Sequence, residues 1–163
     1  MQLWRLLDTG YLSAAENMAL DEAILECGAN GTIPNTIRFL QFEPPAVLVG
    51  YHQDIGQEVR LDYTSSHGIE VNRRITGGGA IYFDNSSLGW EIIASRDSVH
   101  YFHPEEIFKI MCEGTINALN ILGIKADFRP KNDIEVNGRK ISGTGGTERG
   151  GAFLFSGNFT YRF

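Results

Sequence analysis

Short β-strand patterns, most of them separated only by tight turns, account for more of this sequence than any other feature. An Asn-Gly pair at positions 137 and 138 is a strong two-residue hairpin signal between two of these segments. Strands that outnumber helices and follow one another through hairpins predict an α+β domain, with a mixed, mostly antiparallel sheet packed with helices. Alternating or continuously apolar residues predict the strands at 3–8, 36–42, 46–51, 69–74, 80–83, 88–94, 124–128, 133–136, 140–142 and 152–163.

Two helical segments interrupt this strand pattern. Ser13 and Glu16 form a capping box, in which each side chain satisfies a free amide group at the start of a helix. That helix is expected to reach about residue 27, with Gly28 placed to end it. A second helix is expected to begin at Pro104, because proline is favourable at the first helical position.

The cysteines and histidines give no catalytic or metal-binding pattern. Both cysteines, Cys27 and Cys112, fall inside the predicted helices, so we expect buried apolar side chains and not disulfide partners or nucleophiles. None of the histidines is assigned to catalysis, and His100 and His103, just before the second helix, are expected to be surface or capping residues. No His/Cys cluster has the spacing of a zinc site.

Length and charge narrow the functional class. A chain of 163 residues suits one domain with a full hydrophobic core. The net charge of −6 argues against broad binding to nucleic acids or anionic membranes, because both need a dense basic surface. No signal-peptide pattern or bilayer-spanning segment is present, so we predict a cytoplasmic protein. The last strand pattern ends without a following cap or helix, so the single domain, 1–163, is expected to lack its C-terminal part.

A loop of three consecutive glycines, Gly77, Gly78 and Gly79, follows two arginines and precedes another predicted strand. Glycine reaches positive φ, and consecutive backbone N–H groups can then converge on one anion. Arg74 adds a planar, permanently charged fork that matches phosphate or carboxylate oxygens. The loop lacks the spacing of a Rossmann fingerprint or a P-loop. The alternative to an anion site is a tight turn or bulge without a ligand.

A second candidate segment contains Asn132, Asp133 and Lys140. Lys140 is either a solvated hairpin lysine or a group that holds a carboxylate and an α-phosphate together in an acyl-adenylation step. Small residues at 143–147 allow the backbone to approach a ligand closely, and they make a poor ordinary strand. Asp133 is equally a turn-forming residue or a carboxylate that holds Mg²⁺ against nucleotide phosphates. Asn132 either orients Asp133 or begins the turn.

These segments together resemble the lipoate–protein ligase A family, within the wider group of biotin and lipoate protein ligases. The similarity includes residues 73–82 with Asp84, the family's ligand loop, and Asn132-Asp133 followed by residues 138–143, its lysine signature. Residues 17–23 and 49–53 are also similar to the family's opening segments. The resemblance spans nearly the whole chain and implies the fold of a biotin/lipoate ligase catalytic domain.

The resemblance implies an ATP-dependent ligase that activates lipoate to lipoyl-AMP and transfers the lipoyl group to a lysine of an acceptor lipoyl domain. The cofactors would be ATP and Mg²⁺, and the acceptors would be 2-oxoacid dehydrogenase E2 and glycine cleavage H protein. Lys140 would be catalytic, contacting the acyl carboxyl oxygen and the phosphate, and Asp133 would lie near the metal. The ligand-binding residues would be Arg74, Gly77, Gly78, Gly79, Ala80, Ile81, Tyr82, Asn132, Asp133 and Lys140. The apolar tail would enter a tunnel lined by Leu40, Val47, Val49 and the Gly77 and Gly78 backbone.

The chain departs from the family pattern at two positions and in length. Phe83 precedes Asp84 where family members usually carry histidine, and Ser156 precedes Gly157 where many carry histidine. Both changes remove a polar contact. Family catalytic domains are longer than this chain, and the remaining part usually completes the domain and in many members adds a C-terminal accessory domain or subunit.

Two other functions stay open at this point. One is an octanoyl transferase of the same fold that takes acyl groups from acyl carrier protein. We expect that route to use a thiol nucleophile near the lysine motif, and no cysteine follows Cys112. The other is a non-catalytic subunit that binds lipoate or its adenylate and works only with a partner chain.

Overall fold

The computed structural model describes residues 3–98 and 104–160. Its α-helices are α1 (Ala14–Ala29), α2 (Ile55–Glu58), α3 (Leu61–Ser66) and α4 (Pro104–Ile121). Its strands are β1 (Trp4–Leu12), β2 (Asn35–Phe42), β3 (Ala46–Val49), β4 (Glu70–Arg73), β5 (Ile81–Phe83), β6 (Ser87–Ser95), β7 (Asp127–Arg129), β8 (Asp133–Val136), β9 (Arg139–Arg149) and β10 (Ala152–Thr160).

The strands form two sheets. The large sheet has seven strands in the order β1-β2-β6-β10-β9-β8-β7, and the small sheet has three in the order β4-β3-β5. Only the β1–β2 and β3–β4 pairs are parallel among the strand pairs of the described chain. The predicted mixed, mostly antiparallel α+β fold is therefore confirmed. None of the helices within residues 3–98 and 104–160 has the length and apolar character needed to cross a membrane.

Helices α1 and α4 cover opposite faces of the large sheet. Ile24 and Leu25 of α1 pack with Ile93, Ala152 and Leu154, whereas Met111 and Cys112 of α4 pack with Trp90, Ala94, Phe153 and Phe155. Adjacent strand residues point to opposite faces, so neighbours such as Ile93 and Ala94 divide between the two helices. A third apolar cluster joins the N-terminal half of α1 to β2 and the small sheet. The candidate site lies beside this third cluster.

The first helix begins as predicted and ends later. The Ser13–Glu16 capping box is present, with both reciprocal hydrogen bonds formed. The prediction that Gly28 ends this helix is wrong, because α1 continues to Ala29 and its C-cap is Asn30. A Cβ at position 28 would lie at ordinary van der Waals distance from Ile93 and Ala152, so this side of the helix rests against the sheet. The expected burial is confirmed for Cys112 and wrong for Cys27, which lies on the solvent-facing side of α1.

The glycine- and threonine-rich stretch after Lys140 is an ordinary strand, contrary to our expectation. Strand β9 runs without interruption from Arg139 to Arg149 and pairs with β10 from Ser142 to Arg149. Gly146 lies against the Phe155 and Phe108 rings, so neighbouring aromatic residues fill the space that its missing side chain leaves. Cross-strand pairing and this packing outweigh the weak intrinsic strand preference of glycine.

Helices α2 and α3 were not predicted from sequence, and a few predictions fall on residues outside the described ranges. Helices α2 and α3 have four and six residues and carry no helical periodicity that sequence reasoning could detect. Pro104 begins α4 as expected. His100, His103 and the last three residues of the final predicted strand lie outside the described residues.

Candidate active site

The three glycines form one wall of the site, and we call Gly77, Gly78 and Gly79 the glycine ribbon. The ribbon connects β4 to β5, so both of its ends are attached to the small sheet. Gly78 has φ +101°, a backbone conformation that disfavours any side chain. The predicted presentation of the loop by flanking strands is confirmed.

Both arginines before the ribbon bond to main-chain carbonyls. Arg73 Nη1 donates to the carbonyl oxygens of Gly50, Tyr51 and Gln53 at 2.6–3.0 Å. Arg74 is 8% exposed and lines the cavity described below, but its guanidinium also donates to ribbon carbonyls. Burial lowers the pKa of Arg74, and the group keeps its charge because an arginine starts far above neutral pH.

Lys140 lies on the opposite wall, on the hairpin between β8 and β9. Asn137 and Gly138 form the predicted tight turn, both with positive φ. The Lys140 Nζ atom is 2.7 Å from Asp133 Oδ1, and the lysine side chain is 52% exposed. A β-bulge at Ile141, opposite Ile134 and Glu135, shifts the register of β9, and the Lys140 side chain folds back over Gly143. The lysine is thus held by a carboxylate at the edge of the cavity and is not free in solvent.

Asn132 fastens the start of β8 to β9. Its Nδ2 donates to Thr144 O, while its own carbonyl oxygen accepts from Thr144 Oγ1 at 2.7 Å and from Thr144 N at 3.0 Å. These contacts keep Asp133 within reach of Lys140. Of the two roles left open for Asn132, this arrangement favours the one that orients Asp133.

A cavity of about 260 Å³ separates the ribbon from Lys140. One part of its wall is polar and carries the ribbon, Arg74, Thr76, Asn132, Lys140, Ser156 and Asn158. The other part is apolar and consists of Met18, Leu40, Phe42, Leu48, Ile81 and Phe83. A cavity with these two parts can hold a molecule that has an apolar tail and an anionic or carbonyl head.

The structure assigns the expected tunnel residues only in part. Leu40, Gly77 and Gly78 line the cavity, but Val47 and Val49 do not, and Leu48 does. The strand period of two explains the error, because Leu48 points to the face opposite Val47 and Val49. Phe83, which stands where histidine is usual in the family, packs against Phe42 with ring centroids 4.6 Å apart. It therefore extends the apolar wall.

The strand after the ribbon divides its side chains between two surfaces. Ala80 and Ile81 line the cavity together with the ribbon. Tyr82 points the other way, is about half exposed, and borders a separate open hollow with Tyr11, Glu43 and Asp84. Its side chain does not contribute to the cavity wall.

Sequence reasoning missed a buried charged cluster that also borders the cavity. Arg38 is fully buried on β2, and its Nη1 lies 2.6 Å from Asp21 Oδ1 and 3.2 Å from Glu91 Oε2. Burial raises the pKa of Asp21 to about 6, and burial together with the neighbouring Asp21 raises that of Glu91. Arg38 stands at an inward position of an alternating strand, between Thr36 and Leu40, and this was the available signal.

The residues present do not make a magnesium site by themselves. Within residues 3–98 and 104–160, no group of three or more His, Cys, Asp or Glu side chains is placed to hold a metal ion. Asp133 offers one carboxylate, and its Oδ1 atom already binds the Lys140 ammonium. Asp133 as a magnesium ligand therefore stays a prediction, and no step below depends on a metal.

Neither thiol reaches the cavity wall in the described part of the chain. Cys112 is fully buried beneath the large sheet, and burial raises its pKa to about 11. Such a thiol is protonated at neutral pH and is a poor nucleophile. Cys27 is exposed near the far end of α1.

Solved structures of lipoate ligases share this fold over the whole chain. The bipartite lipoate protein ligase from Thermoplasma acidophilum, studied with its E2 lipoyl domain, superposes with a TM-score of 0.86 at 30% identity, covering 100% of this chain and 63% of that one. A lipoate–protein ligase A bound with ATP gives a TM-score of 0.86 at 31% identity, covering 100% of this chain and 68% of the other. The expected catalytic-domain fold is confirmed.

Curated relatives carry a different functional name. Octanoyltransferase LipM from Geobacillus kaustophilus is 32% identical over 96% of this chain and 65% of the relative, and that from Symbiobacterium thermophilum is 33% identical over 95% and 64%. The chain thus spans about 65% of the length of such relatives. These names favour the octanoyl transferase expectation over the ATP-dependent ligase.

The family model for the lipoyl protein ligase A/B catalytic domain matches residues 13–163, which include both walls of the cavity. Relatives above 30% identity cover nearly the whole chain. The chain is therefore a member of the lipoyl protein ligase A/B catalytic-domain family, an enzyme family that contains both lipoate ligases and octanoyl transferases.

Proposed function

We propose that this chain carries the site at which a medium-chain acyl group is transferred to a lysine of an acceptor lipoyl domain. The principal acyl group we propose is octanoyl. The observation that carries the proposal is one cavity whose lining combines apolar side chains with the glycine ribbon and Lys140. The acceptors we propose are the lipoyl domain of 2-oxoacid dehydrogenase E2 and glycine cleavage H protein, in the cytoplasm.

Each part of the cavity has a distinct task in this proposal. The acyl tail lies against the apolar wall formed by residues such as Leu40, Leu48 and Phe83. The acyl carbonyl oxygen faces the polar wall, where backbone N–H groups of the ribbon and the Lys140 ammonium stabilise the negative charge that develops during attack. Fixing the acyl carbon beside the entering amine lowers the entropic part of the barrier.

The curated relatives support octanoyl as the transferred group. Because no thiol of the described residues borders the cavity, transfer at this site proceeds without a thioester on the chain itself. The acceptor amine attacks the carbonyl carbon of the donor thioester, a carbon–nitrogen bond forms and the carbon–sulfur bond breaks. The proton released by the amine passes to the departing sulfur, so the carrier protein leaves as a thiol. Asp133 does not line the cavity, and its part in this proposal is to hold the Lys140 ammonium through their ion pair.

The second candidate is the ATP-dependent lipoate ligase, favoured by the buried, protonated Cys112 and by the ATP-bound ligase of the same fold. In this candidate ATP is a substrate, and lipoyl-AMP replaces the thioester as the acyl donor. Lys140 then contacts the carboxylate and the α-phosphate, and the ribbon contacts the adenylate.

A two-donor assay separates the candidates. The purified chain is incubated with an acceptor lipoyl domain and either octanoyl carrier protein without ATP, or lipoate with ATP and Mg²⁺, and the acceptor mass is followed. Transfer from the carrier protein supports octanoyl transfer, and transfer only with ATP supports the ligase. Binding of lipoyl-AMP with no turnover from either donor contradicts both and supports a subunit that needs a partner chain.

Lys140→Ala tests whether acyl transfer takes place at the cavity that Lys140 lines. We expect its kcat to fall by about 10²–10³-fold, the usual loss when a group that stabilises developing charge is removed. Lys109→Ala is the matched control, because Lys109 is exposed on α4 and does not border the cavity. Equal rates for the two variants would remove Lys140 from the mechanism.

A further inference from the structure

Arg74 lines the cavity, but its guanidinium forms hydrogen bonds mainly with backbone carbonyl oxygens of the protein. Its Nη2 atom donates to Gly77 O at 2.7 Å and to Gly79 O at 2.8 Å. Its Nη1 donates to Leu48 O at 2.9 Å, and its Nε donates to Thr76 Oγ1 at 3.2 Å. Four of the five N–H donors of the guanidinium therefore form hydrogen bonds within the protein.

The ribbon's middle carbonyl is directed at the same scaffold. A Cβ atom built on Gly50 would lie 2.0 Å from Gly78 O, so this oxygen points at the backbone of Gly50. A Cβ on Gly78 would lie 2.9 Å from Arg74 Nη2. All three ribbon carbonyls thus face Arg74 or Gly50, and the glycines are needed for that close approach.

The amide groups must point the other way. The peptide bonds of the ribbon are trans, and in a planar trans unit the C=O and the following N–H are antiparallel. The N–H groups of Gly78, Gly79 and Ala80 therefore turn away from Arg74 and Gly50. No acceptor for these amides occurs in residues 3–98 and 104–160, and all of these residues border the cavity. Adjacent free N–H groups of this kind form an anion-binding concavity.

We infer that Arg74 is a positioning residue, which holds the ribbon carbonyls back so that the ribbon amides face the acyl donor. This differs from the direct nucleotide contact that the family resemblance implies for Arg74. The inference rests on the proposed function only for the identity of the anionic or carbonyl group that the amides meet. Its structural part concerns the ligand-free protein.

The first test measures backbone order in the ligand-free protein by NMR relaxation. In the unmodified chain we expect order parameters of about 0.85 for the Gly78 and Gly79 amides, typical of a rigid backbone, and below about 0.6 in Arg74→Lys. Lysine keeps the charge but cannot bridge three carbonyl oxygens with one planar group. Arg149→Lys is the matched control, since Arg149 is exposed and pairs with Glu22 and Glu26. A ribbon that stays rigid in Arg74→Lys overturns the inference.

Kinetics give a readout that general destabilisation does not produce. With the acyl donor that supports transfer in the two-donor assay, we expect the kcat of Arg74→Lys to be about a hundredfold lower than that of the unmodified chain. A loss of this size is usual when hydrogen-bond donors to a developing oxyanion are displaced. The KM for that donor should change little, because the apolar wall that binds the tail is untouched. An increase in KM at unchanged kcat would instead mark Arg74 as a direct ligand of the ground state.

A measurement on the unmodified protein covers the case in which Arg74→Lys does not fold. Octanoate is titrated while the ribbon amide signals and the Arg74 guanidinium signals are followed. We expect the amides to shift and the guanidinium to keep its carbonyl hydrogen bonds. A guanidinium that shifts more than the amides, or amides that do not shift at all, overturns the inference. If both transfer assays fail while the ribbon behaves as described, only the proposed function is wrong.

Discussion

Gly50, which lies against the ribbon, is the glycine of the described residues at which an added Cβ would approach another atom most closely. A Cβ there would lie 2.0 Å from Gly78 O and 3.0 Å from Gly78 C, both backbone atoms of the ribbon. Real Cβ atoms do not approach backbone so closely, and neither partner is a flexible side-chain end. The backbone of the 50–53 loop is further held by Arg73, which bonds three of its carbonyls. Any substitution at position 50 therefore displaces the ribbon.

We predict that Gly50→Ala destabilises the protein by roughly 1–3 kcal/mol, the usual cost of forcing a group into a filled space. It should also abolish acyl transfer, because the ribbon amides leave their positions. Chemical denaturation and the transfer assay measure the two effects. Gly114→Ala is the control, since a Cβ there meets nothing within 4 Å and the position is helical. That variant is expected to gain roughly 0.5–1 kcal/mol. Similar stabilities for the two variants would contradict the packing described here.

At the residue scale, the sequence predicted the site best where a residue pattern has few possible structural roles. Three adjacent glycines after a strand and a lysine beside an Asn-Gly turn predicted the two walls of the cavity, and the structure brings them together. The Arg74 contacts were not predictable, because a guanidinium fits carbonyl and phosphate oxygens equally well. Glu91 was not predictable either, since its partners Arg38 and Asp21 are 53 and 70 positions away in a fold not yet known.

At the element scale, α1 has the clearest local signals. The capping box at Ser13 forms as the sequence predicts, and an additional contact joins this helix start to the small sheet. Glu70 Oε2 accepts a hydrogen bond from the Ala14 amide at 2.6 Å, and a carboxylate at a helix N-terminus is electrostatically favourable. The end of α1 was mispredicted because Gly31, and not Gly28, takes the positive-φ position after the helix, where its amide donates to the Gly28 carbonyl. The length of β9 was mispredicted because cross-strand pairing overrides the weak strand preference of glycine.

We predict that Ser13→Ala lowers the free energy of unfolding by about 1 kcal/mol, the typical loss of an N-cap. The loss arises because the Glu16 amide loses its acceptor and the Glu16 carboxylate loses one of its two donors, the Ser13 hydroxyl. Urea denaturation followed by circular dichroism provides the measurement. Ser65→Ala, on an exposed position of α3, is the control and should change stability by less than about 0.5 kcal/mol. An equal effect of both substitutions would show that the cap is unimportant.

At the scale of the whole molecule, the Arg38 cluster links elements that no single ladder joins. Arg38 on β2 contacts Asp21 and Asn17 on α1, Glu91 on β6, and Thr9 on β1. One buried guanidinium cannot neutralise two buried carboxylates, so the pair holds a proton to a higher pH than isolated carboxyl groups do. In the unfolded chain both groups ionise near their usual pKa.

This arrangement predicts stability that falls as pH rises. A folded-state pKa above the unfolded value means that the native protein binds the proton more tightly, so its contribution is complete below about pH 4 and is lost as pH rises past about 6. The slope for one proton is up to about 1.4 kcal/mol per pH unit. Glu91→Gln should reduce this slope, because one of the two buried carboxyl groups is removed and Asp21 then pairs alone with Arg38. Denaturation of both proteins from pH 4 to 8 measures the difference, and parallel pH profiles would contradict the shared proton.

The cavity lies between the two sheets, so its width depends on how the sheets are placed relative to each other. Lys140 belongs to the large sheet and the ribbon to the small one, and within the described residues no β-ladder runs between them. The cavity therefore lies between two separately hydrogen-bonded sheets, which are joined by the apolar cluster of α1, β2 and the small sheet. We therefore expect that a slight tilt of one sheet would widen the cavity for a bulky donor and leave the hydrogen bonds within each sheet intact.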